Sequence, residues 1–439
     1  MQMPNDWQQM VYTDAIAVNP RVHLAKGRSY SFLDMASVDT SARCALATEL
    51  RLFTGGGSRF APGDTLLARI TPCLENGKIA RYCGPGKEAH GSTEFIVIRG
   101  RDNVTDSGYA YYLTKWEGVC GYAISQMTGT SGRQRVPTES LSNLIVPVPP
   151  LPEQRRIAHI LGTLDDKIEN NRKTAKTLEA IAQAIFKSWF VDFDPVRAKM
   201  AGESPESICK RLKLTPEILD LFPDRLVDSE LGEIPDGWDV GVFGNLVDYL
   251  RDQENPLSYP EVTFHHFSIP AFDEGKVPKV ELGNAIKSLK LLVPENVVLL
   301  SKLNPETNRV WLVDVTRSNR AVCSTEFLVL RAKPPFTRSY IYLFAHSEFF
   351  REKIEGLVTG TSKSHQRAQA GPISSIPVML PAANVIDAFN SFTDKILLRT
   401  LECRRELTGL IRIRDALLPK LISGEIRVPE AEHLIEEIA

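Results

Sequence analysis

Leu151-Pro152-Glu153-Gln154-Arg155-Arg156-Ile157 opens a long apolar-periodic run that ends near Trp189. Proline suits a first helical turn, where its missing N–H has no partner to lose, and Glu153 suits the positive end of the helix dipole. The apolar positions then advance by alternating four and three residues: Ile157, Leu161, Leu164, Ile168, Asn171, Ala175, Leu178, Ala182, Ile185 and Trp189. That rhythm is a coiled-coil seam with one polar interruption. At ~1.5 Å per residue, a helix from Pro152 to Phe190 is roughly 57 Å long, and a rod of that length separates what sits at its ends.

The rhythm returns later in the chain, at Val385, Phe389, Phe392, Ile396, Arg399, Cys403, Glu406, Leu410, Ile413 and Leu417, and Asp394-Lys395-Ile396 echoes Asp166-Lys167-Ile168. The segments between repeat as well. Ser92-Thr93-Glu94-Phe95 recurs as Ser324-Thr325-Glu326-Phe327, Thr128-Gly129-Thr130-Ser131 as Thr359-Gly360-Thr361-Ser362, and Gln134-Arg135 as Gln366-Arg367. Trp7 matches Trp238, and Leu66-Leu67-Ala68-Arg69-Ile70-Thr71-Pro72 faces Leu299-Leu300-Ser301-Lys302-Leu303-Asn304-Pro305, all at offsets of 231 to 233. The chain therefore reads globule, rod, globule, rod. Each rod alone leaves an apolar stripe in water, so the two are expected to pack against each other, antiparallel, with the globules at opposite ends of a pseudo-two-fold dumbbell.

The fold class expected is α+β, two mixed α/β globules separated by two long antiparallel helices. The divisions are 1–150, a first globule; 151–192, a first helical region; 193–232, a connector rich in Pro, Glu and Asp; 233–381, a second globule; 382–425, a second helical region; and 426–439, a tail. Asp64 to Ile70, Phe95 to Arg99 and Phe327 to Leu330 read as strands bounded by Gly, Pro and Asn. Tyr109 to Met127 and Arg338 to Leu357 read as helices, each followed by a Gly-Thr-Ser loop and then a strand, Leu144 to Val146 or Ile376 to Val378.

With 439 residues, 43% of them apolar, the chain can bury ample core and fits two or three domains. The formal net charge of −2 advertises no nucleic-acid partner globally, so any DNA contact has to come from local patches. The cysteines, Cys44, Cys73, Cys83, Cys120, Cys209, Cys323 and Cys403, are odd in number and scattered, with no C-x-x-C pair. Reduced thiols in a cytoplasmic protein are expected, and no zinc or other metal. The start, Met1-Gln2-Met3-Pro4-Asn5-Asp6, lacks a basic and then apolar leader, and no apolar run approaches the roughly 20 residues of a membrane span.

Four stretches carry a resemblance. They are Val148-Pro149-Pro150-Leu151-Pro152-Glu153-Gln154-Arg155-Arg156-Ile157-Ala158, Leu164-Asp165-Asp166-Lys167-Ile168, Lys187-Ser188-Trp189-Phe190-Val191-Asp192-Phe193-Asp194-Pro195 and Leu231-Gly232-Glu233-Ile234-Pro235-Asp236-Gly237-Trp238. With them the chain resembles, over essentially its whole length, the DNA-specificity subunit of a type I restriction-modification enzyme. The resemblance implies two target-recognition domains, each reading half of a bipartite site in double-stranded DNA. It implies helical regions that hold the spacing and dock DNA adenine methyltransferase subunits, with restriction and translocase subunits joining the complex. Glu153, Gln154, Arg155, Asn171, Trp189, Phe190 and Arg399 are the candidates for docking or spacing. The second repeat departs from the pattern, because Leu380-Pro381-Ala382-Ala383-Asn384-Val385 replaces the Pro-Glu-Gln signature, and docking there is expected to be weaker or to use other side chains.

No chemistry is expected in the chain itself, and S-adenosylmethionine, ATP and magnesium are expected on partner subunits. Lys333-Pro334-Pro335-Phe336 mimics part of an adenine-methyltransferase motif, but Lys stands where an Asn or Asp must accept from the target amine. Gly84-Pro85-Gly86-Lys87-Glu88 lacks the Ser or Thr of a P-loop, and Asn76-Gly77 in Glu75-Asn76-Gly77-Lys78 is first a turn signal. Tyr109, Tyr111, Tyr112 and Trp116 could stack on a base, yet their helical spacing favours core, and His265-His266 reads as a strand pair. The alternatives to a recognition subunit are a self-contained DNA-modifying or cleaving enzyme and a coiled-coil adaptor without DNA affinity.

The DNA-contact candidates lie in the repeated loops: Thr130, Ser131, Arg133, Gln134 and Arg135 in the first, Thr361, Lys363, His365, Gln366 and Arg367 in the second. Small residues let backbone N–H groups approach phosphates, Arg forks onto guanine O6 and N7, and Gln onto adenine N6 and N7. Arg69, Lys78, Lys302 and Arg309 are the candidates on the other repeated loop. Asn171 and Arg399, polar on apolar seams, are expected to set the alignment of the rods.

Overall fold

A computed structural model describes residues 4–47, 49–84, 88–130, 132–316, 319–358 and 366–438. The chain divides into two compact units, Met1–Arg172 with Glu406–Ala439, and Lys173–Arg405. Two long helices, Leu151–Phe190 and Ala383–Ser423, each contribute one part to each unit.

Within the first unit the helical parts run antiparallel, since Asn171 Nδ2 donates to Glu406 at 2.9 Å and Arg414 Nη1 to Asp165 at 3.0 Å. In the second unit they are antiparallel too, with Glu179 bonded to Arg404 and Phe186, Trp189 and Phe190 clustered on Phe389 at ring distances of 5.9, 5.7 and 4.9 Å. On the first long helix the expected seam is the one observed: Ile157, Leu161, Leu164, Ile168, Asn171, Ala175, Ala182 and Trp189 are buried, Leu178 and Ile185 half-buried.

The second long helix needs a correction. Val385, Phe389, Cys403 and Leu417 are buried as expected, but Phe392 is 43% exposed, and Arg399 and Glu406 face solvent. Thr393, Leu397, Thr400 and Leu401 occupy the interior in their place. The threonine hydroxyls donate to the Phe389 and Ile396 carbonyls one turn earlier, both at 2.9 Å, so burying them leaves no unpaired polar group. A reading by hydrophobicity ranks Phe above Thr, and so sets this stretch of the seam one residue early. Arg399 pairs with Glu402 on its own helix at 3.0 Å and is not a seam residue.

Among the described residues, the first unit holds a five-stranded sheet in the order Ile16–Val18, Phe95–Gly100, Thr65–Ala68, Ile79–Tyr82, Cys44–Ala45. A four-stranded sheet follows the order Glu49–Leu52, Ser29–Leu33, Ala89–Gly91, Ser58–Phe60. The second unit repeats the plan. Val247–Leu250, Phe327–Ala332, Val297–Ser301 and Val310–Leu312 form one sheet; Lys290–Leu292, Ala321–Cys323 and Thr263–Phe267 are neighbours in the other. Even the parallel pairing recurs, Ser29–Leu33 with Ala89–Gly91 and Thr263–Phe267 with Ala321–Cys323. The short strand Gln8–Val11 closes on Ile145–Val148, and Asp239–Val242 on Pro377–Leu380, so each globule ends beside its own beginning.

Each single helix expected after the central strand is a pair, Ser107–Lys115 with Glu117–Ser125 and Arg338–His346 with Glu348–Glu355. Ser347 breaks the second pair in extended conformation and caps its follower by accepting from Phe350 N. Trp116 breaks the first in the same conformation. Residues 193–232 hold three short helices, Asp194–Met200, Pro205–Leu212 and Pro216–Leu219, and residues Val428–Ile438 form a further one.

The expectation of wholly reduced thiols is corrected at one place. Cys44 and Cys83 are joined by a disulfide, their Cα atoms 5.5 Å apart, because Cys44–Ala45 pairs alongside Ile79–Tyr82. Cys73, Cys120, Cys209, Cys323 and Cys403 are free. No helix among the described residues is long and apolar enough to cross a membrane.

Candidate nucleic-acid interface

Three of the repeated sequence stretches meet at one place in each unit. In the first, Arg69 N donates to Glu94 O at 2.9 Å, Val136 N to Arg69 O at 2.8 Å, and Thr71 N to Gln134 O at 3.0 Å. In the second, Lys302 N donates to Glu326 O at 2.8 Å, Ala368 N to Lys302 O at 3.0 Å, and Asn304 N to Gln366 O at 2.8 Å. The repeated Thr-Glu is the hinge of this junction. Its Phe neighbours, Phe95 and Phe327, are core, while Glu94 and Glu326 point back at the loop arginines.

Arg135 grips Glu94 through Nε at 3.0 Å and Nη2 at 2.7 Å, and Arg367 grips Glu326 through Nε at 3.0 Å and Nη2 at 2.7 Å. The carboxylate takes the Nε and Nη2 edge of each guanidinium, two of its five N–H groups, and so orients the side chain. Arg135 and Arg367 are thus held in the loop by equivalent ion pairs in the two units. Arg309 is likewise taken, by Asp273 at 2.7 and 2.9 Å, and Lys78 turns inward onto the Met35 carbonyl at 2.6 Å. Thr130 and Arg133 are exposed, and Gln134, Lys302 and Gln366 half-buried. Ser131, Thr361, Lys363 and His365 lie outside the described residues.

Arg69 instead lines a cleft of about 460 Å³ together with Asn19, Arg21, His23, Arg59 and Thr93, and no carboxylate is among its lining residues. Arg69 Nε is buried without a hydrogen-bond partner among the described residues. Arg21 and His23 sit on an extended segment whose alternate residues, Val22 and Leu24, are buried, and this sends both basic side chains outward. Arg59 rests over the Phe53 ring at 5.0 Å and reaches the Gly55 carbonyl at 3.3 Å. Arg43, Arg51, Arg99, Arg135, Arg156, Arg414 and Arg427 of the same unit all have carboxylate partners. At the cleft, by contrast, basic side chains gather with no carboxylate among the lining residues. Sequence reasoning missed Arg21, His23 and Arg59, although the basic and apolar alternation in Arg21-Val22-His23-Leu24 was a usable period-two signal.

Most of the docking and spacing candidates on the first long helix are tied into the fold. Gln154 is fully buried; it donates to the Val104 and Pro149 carbonyls at 2.9 and 2.8 Å and accepts from Asp106 N at 2.8 Å. Glu153 takes Trp7 Nε1 at 3.1 Å and the Arg427 guanidinium at 2.7 and 2.8 Å, and Arg427 in turn holds Asp6. Trp189 and Phe190 are core: Trp189 meets Phe222 edge-on at 5.1 Å, and Phe190 packs on Trp238 at 5.9 Å. Arg155 alone of this group's helix-start residues is exposed. His265 and His266 lie on the strand Thr263–Phe267, where His266 Nδ1 meets Glu281 of the adjacent strand at 2.7 Å. Lys333 donates to the Gly244 carbonyl at 2.8 Å.

Comparison with known proteins fits this architecture. Residues 62–180 match the family described as type I restriction modification DNA specificity domain. The chain is 30% identical to the type I restriction enzyme EcoEI specificity subunit of Escherichia coli, over 87% of this chain and 76% of that one. It is 26% identical to the HindI specificity subunit of Haemophilus influenzae, over 83% and 86%. The crystal structure of the type I restriction-modification S subunit from M. genitalium superposes with a TM-score of 0.55 at 13% identity, covering 96% of this chain and 98% of that one, a likeness of fold. The 30% identity across most of both chains in the EcoEI comparison, with the two long helices and the duplicated strand plan, leads to one conclusion: the chain belongs to the family of type I restriction-modification specificity subunits.

Proposed function

We propose that this chain recognises a bipartite DNA site, that the cleft around Arg69 is where the first unit meets its half-site, and that the chain carries no catalytic group of its own. The observation that supports this reading is the acid-free cleft: Arg21, His23, Arg59 and Arg69 gather there in a chain whose formal charge is −2. Affinity for DNA comes chiefly from phosphate neutralisation, and specificity from forked contacts in the grooves, so arginines without carboxylate partners are the groups that can do both. Arg133 and Gln134 on the neighbouring loop complete the surface. In the second unit Lys302 and Gln366 hold the corresponding places; the first unit's Arg21 and Arg59 align, at the repeat offset of 232, with Gln253 and Leu291, so the two units read different half-sites.

Methyltransferase subunits, and with them restriction and translocase subunits, are the partners in this reading. S-adenosylmethionine, ATP and magnesium are bound by them, and the complex works in the cytoplasm. The experiment is to map methylation by single-molecule sequencing in cells expressing the chain with its methyltransferase partner. A split motif with a fixed gap is expected, and Arg21→Ala with Arg59→Ala should alter one half-site only. A continuous motif, or methylation without this chain, overturns the proposal. Equal weakening on all sequences, with a smaller salt slope, assigns the arginines to phosphate instead of bases.

A further inference from the structure

Both units contain the same buried constellation, a tyrosine on the globule, a carboxylate on the first long helix and an arginine on the second. In the first unit Tyr112, on Ser107–Lys115, donates to Asp165 Oδ2 at 2.7 Å, and Arg414 Nη1 donates to Asp165 Oδ1 at 3.0 Å. In the second, Tyr342, on Arg338–His346, donates to Glu179 Oε1, and Arg404 Nη2 donates to Glu179 Oε2 at 2.5 Å. Tyr112 is 2% exposed and Tyr342 fully buried, and the carboxylates are 7% and 14% exposed.

The two constellations are not copies inherited from the internal repeat. At the repeat offset of 231, Tyr111 corresponds to Tyr342, and Tyr112 to Leu343. Along the long helices, where Asp166 aligns with Asp394, Asp165 aligns with Thr393 and Glu179 with Leu407. The same three chemical groups have thus been assembled twice, from positions the duplication does not relate. Buried charged groups are a poor means to stability, because desolvation cancels most of their attraction; Arg414 also meets Asp415 on its own helix at 2.7 Å and Glu179 lies 4.0 Å from Lys276, so what depends on register is the contact of each carboxylate with its tyrosine and with the arginine across the helix pair. A slip between the long helices would separate the carboxylate from the arginine, and a shift of the globule would separate it from the tyrosine.

We propose that Tyr112–Asp165–Arg414 and Tyr342–Glu179–Arg404 are positioning residues that lock each recognition globule in register on its stretch of the helix pair, and thereby fix the gap between half-sites. The inference rests on the bipartite-site reading above. It is distinct from the expectation that Asn171 and Arg399 set the alignment, since Arg399 is not on the seam.

The test uses the full chain with its methyltransferase partner and a plasmid library in which the gap between half-sites varies. Each triad is replaced whole by apolar residues, Tyr112→Phe with Asp165→Leu and Arg414→Met, or Tyr342→Phe with Glu179→Leu and Arg404→Met. Such replacements leave a folded protein of equal or higher melting temperature where the ions serve alignment. The expected result is methylation of unchanged half-sites at gaps one base pair longer or shorter, at least tenfold above the parent. A folded variant that keeps the parent's single gap overturns the proposal, as does a change in the half-site sequences. Should a triple variant fail to assemble, Tyr112→Phe and Tyr342→Phe remove one hydrogen bond each and are read the same way; sharp gaps in both overturn it. A parent without any split motif overturns the bipartite reading itself.

Discussion

Gln154→Ala separates two roles for the Pro-Glu-Gln stretch, and its cost can be worked from the structure. The side chain is fully buried and makes three hydrogen bonds, two donated to the Val104 and Pro149 carbonyls and one accepted from Asp106 N. Asp106 is also the cap of Ser107–Lys115, so this amide ties the start of that helix to the start of the long one. Truncation leaves the buried Pro149 carbonyl and the part-buried Asp106 N–H and Val104 carbonyl without these partners, at about 1–3 kcal/mol for each group kept from water. Partial relaxation, and water entering the space, bring the expected loss to about 4 kcal/mol, a large share of a domain's stability of roughly 5–15 kcal/mol. Arg155→Ala, one residue along and exposed, is the control and should change stability by less than about 0.5 kcal/mol. Urea unfolding of the full chain, followed by tryptophan fluorescence, reads the loss, and hydrogen exchange at the Asp106 amide reports whether protection disappears there. A Gln154→Ala chain as stable as the parent that binds its methyltransferase partner tenfold more weakly would refute the reasoning and return Gln154 to a docking surface.

Glu94→Gln should release Arg135, because the amide cannot hold the guanidinium as an ion pair; titration of non-specific duplex DNA should then show a salt slope steeper by about 1. Burial among Lys276 and its neighbours pushes His346 down to about 4, against 6.5 for the free group. The unfolded chain then binds more protons between those values, so stability is intact above about pH 6.5 and falls as pH drops toward 4, by about 3 kcal/mol for this group. Comparing melting temperatures of the parent and His346→Gln from pH 7 to 4.5 checks it; parallel curves would refute it. Asn171→Leu exchanges the seam's hydrogen bond to the exposed Glu406 for apolar packing, and is expected to raise stability by about 1 kcal/mol in urea unfolding.

Much of the architecture was legible because hydrophobic periodicity is a local signal. Ile157 to Trp189 announced one long helix, and the recurrence of Thr-Glu-Phe and Gln-Arg announced a duplicated globule whose strand pairings the structure repeats. The same logic failed where a polar residue was satisfied by its own backbone, as at Thr393 and Thr400, whose hydroxyls bond one turn back. It failed more widely for the charged and amide side chains. The burial of Gln154 and the pairing of Arg135 with Glu94, 41 residues away in sequence, left no signal in it. Cys44 and Cys83, 39 residues apart, are joined for the same kind of reason.

The sequence by itself determined the duplication, the two long helices and the resemblance that identity across most of an E. coli relative turned into family membership. Only the tertiary structure decided which arginines meet a carboxylate and which line the cleft, and which carboxylates are held between a tyrosine and an arginine. The physical reason is that burial of apolar surface adds up residue by residue along a helix or strand, and so leaves a period in the sequence. A buried charge is decided by whichever group the folded chain brings within about 3 Å of it, and that pairing leaves no period to read.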